Sequence, residues 1–132
     1  MHSLVFIYIK DKENYQEKVY DETHNCKGFI EYDSEGFSIG SFDYYIFMEE
    51  SRHFKMDKDI FTIQEILKSE DKLYKEKGIP ILLNGKLYNK YSYLDNLPLH
   101  RPEGQEESKS IYQILIENDI KDEYLIAIDC HS

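Results

Sequence analysis

A chain of 132 residues with 41% hydrophobic and 14% aromatic side chains can bury a core of its own, which excludes a disordered acidic tail. Its formal charge of −10 repels nucleic acid and anionic membrane surface and attracts basic proteins. The charge is uneven: residues 28–57 hold seven carboxylates against two basic groups, and residues 92–132 nine against three, while residues 58–91 hold seven basic groups against five acidic.

In chain order, Leu4 to Ile9 (LVFIYI) is apolar without alternation, the pattern of a strand buried on both faces. Asp11 to Asn25 is charged and weakly patterned, and Tyr15, Val19 and Tyr20 fit one turn of helix as well as a short edge strand. Gly28 to Tyr32 and Phe37 to Met48 flank the turn Asp33-Ser34-Glu35-Gly36 and predict a hairpin, with a change of phase near Gly40 that points to a bulge or bend. Glu49 to Lys58 reads as a charged connector.

Thr62-Ile63-Gln64-Glu65 has the form of a capping box. Ile63, Ile66, Leu67, Leu73 and Tyr74 then recur at helical spacing, and Gly78 and Pro80 predict that the helix ends near Lys77. Ile81 to Leu83 and Lys86 to Tyr88 flank Asn84-Gly85, the strongest two-residue hairpin signal. Lys90 to Gln105, with Pro98, Pro102 and Gly104, reads as a long irregular loop of the kind that often carries function. Ser108 or Ser110 caps a second helix that turns Ile111, Ile114 and Leu115 inward, with Glu106 and Glu107 near its positive end and Asn118 in the left-handed position that closes it. Tyr124 to Ile128 (YLIAI) is a second continuously apolar strand, expected beside Leu4 to Ile9.

These elements predict a single α+β domain over residues 1–132: a mixed, mainly antiparallel sheet of about five to six strands with two helices packed on one face. The apolar run near the N-terminus is too short for a signal sequence and no run reaches membrane-spanning length, so a cytoplasmic protein is expected, with Cys26 and Cys130 as free thiols.

No motif for catalysis, metal or cofactor binding stands out. GxGxxG and P-loop patterns are lacking. His24 and Cys26 with Cys130 and His131 would offer zinc two thiols and two imidazoles, but neither pair has the gap of a ligand clip, so no metal is expected. Glu49, Glu50 and His53 suit a small acid/base site, and a charged loop at a strand end explains them as well. His100-Arg101-Pro102 would anchor an anion or simply form a solvated turn.

The twelve tyrosines carry more information, because tyrosine gives large contact area at low entropic cost. We therefore expect no enzyme but a binding protein: an immunity- or antitoxin-type inhibitor that covers the cationic surface of a basic, nuclease-like toxin, without itself touching nucleic acid or membrane. The expected contacts are Glu31, Asp33, Glu35, Asp43, Glu49 and Glu50, with Tyr32, Tyr44 and Tyr45 as aromatic anchors. Glu103, Glu106 and Glu107 form a competing acidic surface. A phage-encoded anti-defence inhibitor, a small Glu/His enzyme and a structural or assembly subunit are the alternatives.

Overall fold

The fold is described from a computed structural model, over residues 1–76, 78–92 and 106–132. Strands β1 (His2–Ile9) and β6 (Tyr124–His131) pair antiparallel along eight residues, from His2 opposite His131 to Ile9 opposite Tyr124. Both are continuously apolar because the sheet is covered on both sides. Phe6, Tyr8, Leu125 and Ala127 face one hydrophobic cluster, and Val5, Ile7, Ile126 and Ile128 face the other.

β4 (Ile81–Leu83) lies parallel to β1, and β5 (Lys86–Tyr88) returns antiparallel through Asn84-Gly85, both of which adopt positive φ as a tight hairpin requires. On the far side of β6 lie two short strands end to end, β2 (Tyr44–Phe47) and β3 (Ile60–Thr62), each antiparallel to β6. The segment between them leaves the sheet as the short 3-10 turn Met48–Glu50 and an irregular stretch. Asp59 ties its ends together, since its carboxylate accepts from the Met48 amide at 2.8 Å and its carbonyl from the Ala127 amide at 2.8 Å. The strand order is β2-β6-β1-β4-β5 with β3 also on β6: an α+β architecture with a mixed, mainly antiparallel sheet of six strands.

The capping box forms as expected: the Thr62 hydroxyl accepts from the Glu65 amide, and the Glu65 carboxylate accepts from the Thr62 amide. The helix it opens does not run to Lys77. It stops as α2 (Ile63–Lys68), and a second short helix, α3 (Lys72–Lys75), follows. Ser69 and Asp71 cause the break. The Ser69 hydroxyl accepts from the Asp71 amide and the Asp71 carboxylate from the Leu73 amide, so two short polar side chains compete with the helical ladder and restart it. α4 (Ile111–Glu117) is capped by Ser110, whose hydroxyl accepts from the Gln113 amide. Asp119, not Asn118, takes the left-handed position beyond it.

α2, α3 and α4 bury Ile63, Ile66, Tyr74, Ile111, Ile114 and Leu115 against one face of the sheet. The segment that the sequence leaves open is the helix α1 (Tyr15–Asn25), and it packs on the opposite face through Val19. The predicted hairpin over residues 28–48 forms in its first part as irregular pairing, with Tyr32 opposite Ser38 and the amides of Asp33, Ile39 and Phe42 bonded across the two arms, while Tyr44–Phe47 pair with β6 instead. The turn within it does form: Asp33 accepts from the Gly36 amide, and Gly36 has φ of 88°. Among the described residues no helix is long and apolar enough to cross a membrane.

Candidate functional site

All four residues of β2 line a single cleft of about 370 Å³, together with Tyr20 and His24 of α1, Ile30 and Tyr32 of the loop before β2, and Asp43 and Glu50 near its two ends. The loop wall is fixed by main-chain bonds: the Ser41 amide donates to Gly28 at 2.7 Å, the Phe42 amide to Phe29 at 3.0 Å and the Ile39 amide to Glu31 at 2.9 Å. Gly40 is the tightest point, since a Cβ there would stand 2.5 Å from the Phe29 carbonyl oxygen. This is the bend that the change of phase predicts. The Tyr32 hydroxyl donates to the Asp43 carbonyl, and Tyr20 stacks on His24 with ring centroids 3.9 Å apart.

Tyr20, Tyr32 and Tyr44 remain about half exposed, and Tyr45 lies deeper. Burial holds the Tyr45 phenol above its ordinary pKa, with Asp21 adding to the rise, so it stays a neutral hydrogen-bonding group. Among the described residues that line the cleft there is no lysine or arginine. Its chemistry is that of an aromatic trough with carboxylates at both ends.

Of the nine residues expected to meet a partner, Tyr32, Asp43, Tyr44, Tyr45 and Glu50 meet here. The other four do not line the cleft. Glu31 turns back to accept from the Gly28 amide at 3.3 Å, and Asp33 accepts from the amides of Glu35 and Phe37, both at 2.9 Å, so its carboxylate shapes the turn. Glu35 and Glu49 are exposed on flanking segments. Tyr20 and His24 are the residues that sequence reasoning misses; their i, i+4 spacing was the available signal, hidden in a segment with only two buried positions, Val19 and Thr23.

The competing acidic surface is of mixed sign. Glu106 and Glu107 share a small cleft with Lys86, Lys90 and Lys109, and the Lys109 ammonium is 3.9 Å from Glu106 and 2.9 Å from Glu117. Glu103 and the triplet His100-Arg101-Pro102 lie outside the described residues.

The residues of the acid/base alternative do not share a described cleft. His53 stacks on His2 at 3.7 Å and does not line the cleft that holds Glu50. Nor do His53, Glu49 or Glu50 line the larger cleft of about 630 Å³ between the start of β1 and the segment Gly78–Pro80. Beside that cleft, the buried Asp129 carboxylate meets His2 Nδ1 at 2.8 Å and accepts from the Ser51 hydroxyl at 2.8 Å. Ser51 donates to this carboxylate directly, and His2 meets its other oxygen, so the carboxylate holds both side chains. Ser51 in turn accepts from the amides of His53 and Phe54, so the cluster pins the excursion between β2 and β3.

Among the described residues no three His, Cys, Asp or Glu side chains gather as a metal site. Cys130 faces the α1 side of β6, its neighbour His131 faces the other, and the Cys26 thiol donates to the Gly85 carbonyl at 3.5 Å. Burial pushes both thiols up in pKa, Cys130 furthest, which favours their protonated form. Neither a protein-family model, nor a curated protein, nor a solved structure matches this chain.

Proposed function

We propose that this chain is a binding protein of the immunity or antitoxin type, which neutralises a basic, nuclease-like toxin by laying the β2 cleft over its cationic surface. The observation that carries this reading is the composition of the cleft: four tyrosines, Asp43 and Glu50, with no lysine or arginine among its described lining. Exposed aromatics gathered in one concavity supply contact area, and the carboxylates at its ends supply sign. Lysines or arginines that read phosphate in a nuclease groove would meet carboxylates here instead, and the net charge of −10 would draw such a partner in over a distance of about 8 Å at physiological salt.

The test is capture of partners from the native host on wild-type protein and on the double variant Tyr20→Ala/Tyr44→Ala, whose side chains are exposed and leave the core untouched. The expected result is a basic protein that the wild type retains at low salt and the variant loses, and whose nuclease activity stops when the wild-type chain is added. Retention of the same protein by both forms, or capture of acidic proteins alone, would contradict the assignment.

A further inference from the structure

Successive side chains of a strand point to opposite faces, so a cleft bordered by all four residues of β2 points to the strand's outer edge, where the main chain itself is presented. β2 pairs only with β6, and among the described residues no backbone bond reaches Tyr44–Phe47 from any other segment. At the other end of the sheet the chain guards its own edge: Asn89, just past β5, exchanges hydrogen bonds with the main chain of Lys109 at 2.8 and 2.9 Å, and Glu106–Lys109 lines the same small cleft as β5. At the β2 edge the comparable contact, the Tyr32 hydroxyl on the Asp43 carbonyl, stops just short of the strand.

We propose that the partner enters this cleft as an added β-strand, an extended segment of about six residues with lysine or arginine at its ends and four β-branched or small apolar residues between. This rests on the reading of the cleft as the docking site for a basic protein, and it specifies the mode. Four residues of strand offer roughly 13 Å of edge, enough for the main chain of the central residues of such a segment to bond along it. Tyr20 and Tyr32 form the facing wall and cover its alternate side chains, while Asp43 and Glu50 meet its basic ends. The same two carboxylates discourage a second copy of this chain from pairing there, because like charges would be brought together.

The probe is the peptide Lys-Val-Thr-Val-Thr-Lys with blocked termini, compared with the same peptide N-methylated at its third and fourth residues. Methylation at two adjacent positions removes a donor from each edge of the peptide and leaves its charge and side chains in place. Amide exchange of the full chain, followed by NMR, should show the unmodified peptide slowing exchange of the outward amides of Tyr44–Phe47 at least ten-fold, and the methylated peptide binding at least ten-fold more weakly. Equal binding of the two peptides, or no added protection of those amides by the unmodified one, would overturn strand addition. So would a dimer that already protects them without peptide. Failure of the underlying reading is separable: it shows as binding of a basic partner protein that ignores the reversal of Asp43 and Glu50, which neither peptide result imitates.

Discussion

Gly40 has no side chain because none would fit. A methyl group there meets the main chain of Phe29 and Glu31 at 2.5 to 2.9 Å, and backbone cannot swing aside as the end of a side chain can. Gly40→Ala should therefore cost about 1–3 kcal/mol of stability by overpacking, read from denaturant unfolding, and should weaken partner binding as well because the loop it displaces carries Ile30 and Tyr32. A loss below half a kcal/mol would show that the loop yields easily. The sequence announces this position through the change of apolar phase around it, which is a local signal. It does not announce what Asp33 or Glu31 does. A carboxylate in an acidic, glycine-bounded stretch looks the same whether it faces a partner or caps its own turn, and only the path of the chain decides; here both turn inward to amides.

At the scale of elements, legibility follows how much of the signal is local. The Thr62 box, the Asn84-Gly85 turn and the Ser110 cap need only neighbouring residues, and all three form. α1 escapes because its stability comes from a stripe of just two buried residues on an otherwise charged surface, and its N-cap, Asn14, makes no side-chain bond. β3 escapes because three residues carry no period, and its reason to be extended is β6, more than sixty residues away. The Thr62 box gives a direct test. Thr62→Ala should lower stability by about 1 kcal/mol at pH 7. Partial burial pushes the Glu65 carboxyl up, but the Lys58 ammonium at 2.7 Å and the Thr62 amide outweigh it and hold the pKa below its ordinary value. A carboxylate depressed in the folded state contributes stability that is present above its unfolded pKa, about 4.3, and is lost as pH falls through the lower folded value. Glu65→Gln should accordingly be less stable than wild type at pH 7 and lose less on acidification through that range. An unchanged pH slope would mean that the box contributes nothing electrostatic.

Across the whole molecule, the strand pair β1–β6 holds both clusters together, and the two edges of its sheet differ in sign. On the β5 side Lys86, Lys90 and Lys109 stand among Glu106 and Glu107, whereas the β2 cleft is framed by Asp43 and Glu50 alone among its described charged residues other than His24. Composition in the sequence points to acid on either side of a basic centre, and that much survives. Among the described residues the first acidic stretch opens onto a cleft lined without lysine or arginine, its Asp43 carboxylate lying 3.4 Å from His131 Nδ1, while Glu106 of the second stretch lies 3.9 Å from the Lys109 ammonium; that difference is a property of the three-dimensional arrangement. The most direct measurement is the association rate of a captured basic partner with wild type and with Asp43→Lys/Glu50→Lys, followed as ionic strength is raised. Steering by the cleft predicts an on-rate about ten-fold or more slower for the variant at low salt, with the two rates converging as salt screens the field. An on-rate indifferent both to the reversals and to ionic strength would contradict it.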